Sequence, residues 1–268
     1  MIEPKLADDA FLDDVARAVD PKVVYLWWLG QSGFLIAWRR RYLLIDPYLS
    51  DSLTRKYAGT DREHVRMTRR VVAPRRLAFV DVVCSTHGHT DHLDAETLKP
   101  IVAGGATLVC PAANRRLAAE RVGRAPDVCM SDGDTATVAG FDFELVPAAH
   151  PELSPEYAGY VVGCGGTRIY HSGDSVVYPG MVDRLRTRRT TLALLPINGA
   201  HGNMGGAEAA RLAHAIGAEL VVPCHYDMFE FNTASPAVFV GECERLGQRF
   251  EVLRAGQRLS IPPDRQAG

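Results

Sequence analysis

The sequence predicts an α/β protein built as a four-layer αβ/βα sandwich, two mixed β-sheets packed face to face with helices outside. Three observations lead there. Apolar runs of strand length recur along the chain, bounded by Gly, Pro and Asp. Later runs in each half alternate with stretches of helical period. The same order, strands first and then strand with helix, comes twice without a visible sequence repeat. A chain of 268 residues that is 47% hydrophobic buries a full core, so one domain over residues 1–268 is expected.

The elements follow in order. Pro4 and Pro21 bracket a segment with Phe11, Val15 and Val19 at helical spacing and Leu12 beside them, one face of an amphipathic helix packed on the outside. Val23 to Leu29, Phe34 to Trp38 and Tyr42 to Ile45 read as strands; Gly30-Gln31-Ser32-Gly33 and Arg39 to Arg41 are turns short enough for an antiparallel meander. Periodicity fails from Asp51 to Arg76, a stretch rich in arginine that includes Arg55, Lys56, Arg62 and Arg66. Long excursions in compact domains are often functional, and this one is expected near the mouth of an active site, where it would recruit an anionic substrate. Strands at Asp81 to Ser85 and Thr107 to Cys110 then alternate with helices from Ala95 and Ala112. In the second half strands are expected at Val128 to Ser131, Ala136 to Val138, Phe141 to Val146, Tyr160 to Val162, Thr167 to Tyr170, Leu192 to Ile197, Leu220 to Pro223 and Phe250 to Leu253. Helices are expected near Gly180 to Arg188, Ala207 to Ile216 and Pro236 to Leu246.

Composition removes several function classes. A net charge of −2 lacks the basic excess needed to coat nucleic acid or anionic lipid, so neither nucleic acid nor membrane is an expected partner; homo-oligomerisation stays open. The six cysteines contain no CxxC pair and several lie in apolar runs, as buried reduced thiols do. There is no run of about 20 apolar residues and no basic, then apolar, leader, which leads us to expect a cytoplasmic protein.

Chemistry concentrates in His87-Gly88-His89-Thr90-Asp91-His92. The apolar run Val82 to Thr86 delivers these residues at a strand end. His87 and His89, two apart in an extended segment, project to the same side; Asp91 and His92 follow a turn and reach a second point nearby. Asp94 is placed to cap the next helix, with Glu96 in its first turn. Imidazole nitrogen and carboxylate oxygen suit zinc, manganese or iron, and so dense a set of donors exceeds what a capped polar loop requires. Among the other histidines, His64 and His214 read as solvated, His171 as a core or supporting residue, and His201, on a glycine-rich loop after a strand, as within reach of a substrate.

The HxHxDH run, preceded by an apolar strand and by Asp46 at the end of an earlier one, resembles the metallo-β-lactamase superfamily over nearly the whole chain. That resemblance implies the metallo-β-lactamase fold and completes the signature with a later His, a bridging Asp and a final His, which fall here on His150, Asp174 and His225. It implies two divalent metal ions: one held by His87, His89 and His150, the other by Asp91, His92 and His225, with Asp174 between them. Asp46 is expected to orient a ligand imidazole or the loop. The implied chemistry is attack by a metal-bridged hydroxide, with Asp91 and Asp174 as catalytic groups and Asp91 passing the nucleophile's proton to the leaving group. The ligand set lacks cysteine, and His89 stands where flavodiiron oxygen reductases carry Glu; both point to hydrolysis.

Further strings narrow the branch. Trp27-Trp28-Leu29-Gly30-Gln31-Ser32-Gly33-Phe34, Ile45-Asp46-Pro47-Tyr48, Pro196-Ile197-Asn198-Gly199, Gly202-Asn203-Met204 and His225-Tyr226-Asp227-Met228-Phe229 are similar to L-ascorbate-6-phosphate lactonase-like proteins. This implies a hydrolase that opens a small phosphorylated sugar-acid lactone or related ester with Mn2+, or Zn2+ on donor chemistry. Asn198, His201, Asn203, Tyr226, Asn232 and, from the excursion, Arg55 are the candidates to hold the small anionic substrate. The competing enzyme is a metal-dependent phosphodiesterase, including the phospholipase D-like type. The other alternative is a metal-binding protein without turnover, whose mark would be a lost ligand position; none is lost.

Overall fold

Strands β1 (Val24–Gly30), β2 (Gly33–Trp38) and β3 (Arg41–Ile45) form the expected antiparallel meander. Trp38 pairs with Arg41 across a two-residue loop in which Arg39 (φ 49°) and Arg40 (φ 60°) are both left-handed, the backbone that matches a tight hairpin to the twist of its strands. Strands β4 (Val82–Cys84), β5 (Thr107–Pro111) and β6 (Val128–Met130) continue in parallel. Helices α3 (Ala95–Ala103) and α4 (Arg115–Val122) supply the crossovers. In this computed structural model residues 1–262 are described; residues 263–268, the end of the single domain expected over 1–268, lie outside the described residues.

The second sheet begins antiparallel with β7 (Thr135–Val138), β8 (Phe141–Ala149), β9 (Leu153–Cys164) and β10 (Thr167–His171). It turns parallel at β11 (Leu192–Pro196) and β12 (Leu220–Cys224), which pair through α5 (Met181–Arg186) and α6 (Gly206–Ala215). Helix α7 (Ala237–Leu246) packs beside α6, where a Cβ on Gly206 would meet the Phe239 backbone nitrogen at 2.8 Å. Two mixed sheets flanked by helices make the α/β sandwich of the metallo-β-lactamase fold. Residues of both sheets, Trp27 and Phe34 on one and Phe143 and Tyr160 on the other, belong to one buried cluster.

Helix α1 (Asp8–Arg17) covers the outer face of the first sheet. Phe11 meets Trp27 edge-on at 6.3 Å, and Trp27 Nε1 donates to Asp14 Oδ2 at 2.9 Å. Both faces of β1 are thereby buried, and Phe11 alone contributes about 2 kcal/mol of apolar burial. The helix stops at Arg17, so Val19, expected on the apolar stripe, is instead exposed.

Three boundaries differ from expectation for physical reasons. Phe250 to Leu253 is not a strand: Phe250 makes one parallel bridge to Val221 before the chain leaves the sheet. The last strand is β13 (Arg258–Ile261), too short and polar to stand out in the sequence, which covers β1 antiparallel and closes the first sheet in the order β13-β1-β2-β3-β4-β5-β6. Strand β9 begins seven residues earlier than its apolar run, because its first half is exposed on one side and carries no hydrophobic signal. The cysteines are free thiols, all buried except the half-buried Cys129. No described helix is long and apolar enough to cross a membrane.

Candidate metal centre and its cleft

The carboxyl ends of the parallel strands open on one edge of the sandwich, the usual place for ligands in such sheets. β3 pairs in parallel with β4, Ile45 opposite Cys84, so Asp46 emerges beside the first residue of the ligand loop. Its Oδ1 accepts from Thr86 N at 2.7 Å and its Oδ2 from Thr86 Oγ1 at 2.5 Å and His92 Nδ1 at 2.7 Å. This fixes the His92 tautomer and leaves Nε2 facing the cluster. Arg121 on α4 donates to Gly88 O at 2.7 Å and Leu93 O at 3.1 Å and clamps both ends of the loop. Asp94 caps α3 as expected, accepting from Thr97 N at 3.0 Å.

The second sheet delivers the complementary groups. His150 follows β8, and its Nδ1 donates to Gly202 O at 3.1 Å, so Nε2 is the free donor atom. Asp174 is brought in through Gly173, at φ +67°, where a Cβ would lie 2.6 Å from Ala158 O: no side chain fits there. Asn203 Nδ2 donates to Asp174 Oδ2 at 3.0 Å. His225 follows β12 with φ 62°, and its backbone N–H donates to Gln31 O at 2.9 Å.

These strand ends bring together every residue that the sequence pointed to as a metal ligand. The ligand atoms of His87, His89 and His150 lie within 4.8 Å of one another, as do those of Asp91, His92 and His225, while Asp174 groups with His87 and His92. Asp174 Oδ2 is 3.3 Å from His92 Nε2 and 3.4 Å from His225 Nε2; Asp91 Oδ2 is 3.6 Å and 3.7 Å from the same atoms.

The electrostatics of the cluster favour a cation. Burial works to lower His92, but Asp174, Asp91 and Asp46 outweigh it and hold the imidazole well above its ordinary value. Burial likewise opposes ionisation of Asp174, yet His92 and His225 hold its carboxyl well below the usual range. His87 is held well below its ordinary value, first by burial and then by His92, so it is neutral and available as a donor. The Nε2 atoms of His87 and His92 are buried without a hydrogen-bond partner; the 3.3 Å approach of His92 to Asp174 is not in hydrogen-bonding geometry. Buried donor atoms left unpaired, aimed at carboxylates and at one another, fit divalent metal ions.

A cleft of about 310 Å³ lies over the cluster. His89, Asp91, His150, Asp174 and His225 border it, with His201, Asn203 and Asn232 from the substrate candidates. Larger hollows of about 580 Å³ beside Trp38 and about 740 Å³ beside Arg249 border none of these ligands. Asn198 does not border the cleft but supports it, donating to Asn232 Oδ1 at 2.8 Å and accepting from Asn203 Nδ2 at 3.0 Å. Two expectations are corrected. Tyr226 is buried, stacked on Trp28 at 4.4 Å with its hydroxyl donating to Leu253 O, because the left-handed turn at His225 sends successive side chains opposite ways. Arg55 points away from the cleft into an ion pair with Glu96; its neighbour Lys56, a step of the helix α2 (Ser52–Lys56) further on, borders the cleft instead.

The excursion does reach the mouth: Leu53, Lys56, Tyr57, Arg62 and His64 border the cleft. His64, expected to be solvated, packs between aromatic rings, while His171 is a core residue whose Nε2 donates to Ser32 O at 2.9 Å. Sequence reading missed Gln31, whose carboxamide nitrogen lies 2.8 Å from Asp91 Oδ2 and 3.0 Å from His225 Nε2. Its signals in the sequence were a large polar residue in a glycine turn and its place in the Trp27 to Phe34 string; in the structure it takes φ 51°.

Residues 41–226 match the family model described as the beta-lactamase superfamily domain. A UPF0173 metal-dependent hydrolase of Methanoregula boonei is 32% identical over 254 residues, covering 90% of this chain and 100% of the relative. Another from Methanopyrus kandleri is 32% identical over 237 residues, 84% of this chain and 94% of the relative. Among solved structures, a metallo hydrolase from Ignicoccus hospitalis superposes with TM-score 0.69 at 24% identity, covering 89% of this chain and 98% of that one. An isothiocyanate hydrolase from Delia radicum gut bacteria superposes with TM-score 0.72 at 19% identity, covering 89% and 99%. These two likenesses show the shared fold alone.

Proposed function

Since the chain belongs to the metallo-β-lactamase superfamily and to its UPF0173 metal-dependent hydrolases, we propose that its cleft opens a small anionic ester, a phosphorylated sugar-acid lactone being the substrate class the sequence strings favour. The observation that carries this reading is the join of two features: the ligand cluster forms the floor of the cleft, and Lys56 and Arg62, neither of which forms an ion pair among the described residues, stand at its rim. An anion drawn to that rim lies against the floor.

His87, His89 and His150 would hold one divalent ion and Asp91, His92 and His225 a second, with Asp174 shared. Bound there, Mn2+ or Zn2+ would polarise the carbonyl and lower the pKa of water to supply a nucleophile at neutral pH. The chain's own groups do the rest. Asp46 keeps His92 in the one tautomer that presents Nε2, and Asn203 pins the carboxylate of Asp174. Asp91 borders the cleft and keeps a carboxylate oxygen fixed by Gln31, which supports its assignment as the group that takes the nucleophile's proton and returns it to the leaving alkoxide. His201 and Asn232 offer polar atoms to the hydroxyls of a lactone ring, while Asn203 is committed to Asp174 and Asn198.

The test is a paired assay at equal loading with Mn2+ or Zn2+, with bound metal measured. Lactones and phosphorylated lactones should be hydrolysed at a stoichiometry of two ions per chain. Turnover of bis-p-nitrophenyl phosphate far faster than every lactone would overturn the reading in favour of a phosphodiesterase, and a stoichiometry fixed at one would remove the paired site.

A further inference from the structure

One wall of the cleft is aromatic. Tyr57 and His64 stack with centroids 4.4 Å apart and 17° between planes. His64 meets Phe229 at 4.8 Å and Phe231 at 4.4 Å. The rings come from two segments tied together by backbone hydrogen bonds, Met67 N to Met228 O at 2.8 Å and Glu230 N to Val65 O at 3.1 Å. His64 Nδ1 donates to Arg62 O at 2.8 Å, and burial lowers the imidazole below its ordinary value, so it packs among the rings as a neutral buttress for Phe231. Phe229 is buried, but Phe231 remains 38% exposed beside the open cleft. An apolar ring left facing water on a wall already made of rings gains free energy when something flat and apolar covers it.

Two cations of the excursion stand at the cleft without an ion-pair partner among the described residues. Within the excursion, Arg55 pairs with Glu96, Arg66 with Asp51, Arg69 with Glu3 and Asp8, and Arg76 with Asp9. Lys56 and Arg62 form no such pair among the described residues, and both border the cleft; Lys56 Nζ lies 5.0 Å from the Tyr57 ring centroid.

We propose that the substrate is an anionic ester or lactone bearing a planar apolar group, an aryl ring in the simplest case, which covers Phe231 while its anion meets Lys56 and Arg62. This rests on the ester-hydrolase reading of the floor and departs from the polyhydroxylated ring that the sequence strings favour. An aryl ring buries more apolar area against Phe231 than the C–H face of a sugar ring does, so it is the group this wall favours.

The experiment uses the metal-loaded full chain and two phosphorylated γ-lactones that differ only in a phenyl or a propyl substituent, together with phenylphosphonate and propylphosphonate as binding probes followed by calorimetry. The phenyl compound should be preferred by about tenfold in kcat/KM, and phenylphosphonate by a similar factor in affinity. Phe231→Ser should bring both ratios close to one. Lys56→Ala with Arg62→Ala should raise KM for the phosphorylated phenyl lactone relative to its neutral parent. Equal use of phenyl and propyl compounds, or ratios unmoved by Phe231→Ser, would overturn the proposal while leaving the hydrolase intact. If neither lactone is turned over, the ester reading fails, and the phosphonate ratio still decides whether the wall selects an aryl group.

Discussion

The floor and the wall of the cleft are built on different principles. On the floor every side chain stands at a strand end or on the loop that leaves it, and several are held by a dedicated partner: His92 by Asp46, His150 by Gly202 O, Asp174 by Asn203. The wall hangs on the excursion and on the segment after His225, joined to each other by backbone bonds and braced within the excursion by Arg66, which donates to Asp51, Ser50 O and Thr68 O. The floor is rigid where reacting groups must be placed closely, and the wall is loop where the fitted molecule varies. Chemistry and selectivity can therefore be altered separately.

The largest effect is expected on the floor. Asp174→Ala removes the carboxylate shared between the two ligand groups; turnover should fall on the order of 10³-fold with loss of bound metal, read by elemental analysis after gel filtration. Wild-type turnover would take Asp174 out of the site. Asp46→Asn keeps the shape but weakens the acceptor on His92 Nδ1, and metal affinity should drop by about 10- to 100-fold in a chelator competition. An unchanged affinity would mean that His92 needs no orienting partner. At the margin of the wall, Arg55→Ala should leave KM for an anionic ester unchanged, since the exposed pair with Glu96 faces away from the cleft. A rise in KM equal to that of Arg62→Ala would blur the boundary of the binding region.

The sequence made the floor far more legible than the wall. His87, His89, Asp91 and His92 are contiguous and follow an apolar strand, so their grouping survives without knowledge of the fold. His150, Asp174 and His225 come from three other strand ends and were placed through a family resemblance; periodicity alone could not have joined them. Tyr57, His64, Phe229 and Phe231 lie on segments with no period, so nothing in their spacing shows that they stack. Tyr226 and Arg55 escape a sequence reading for different reasons: the left-handed turn at His225 sends its neighbour inward, and basic density along the excursion does not show that Arg55 is taken by Glu96. Gln31 was hidden because a glycine-flanked turn already accounted for its position. Expected strands held wherever both faces are buried and failed at Phe250 to Leu253, where one bridge replaces a ladder.

The seam between the sheets has a mechanical meaning. Tyr160 of the second sheet donates its hydroxyl to Ser85 O of the first at 3.2 Å, and Ala158 N donates to Thr86 O at 3.1 Å, both directly before the ligand loop. Each sheet carries only part of the cluster, so the reaction centre is a gauge of how the two sheets are aligned. A slip too small to cost cooperative stability would already misregister His87 against His150 and Asp174. Damage to the seam would show as a folded, silent protein before it showed as an unfolded one.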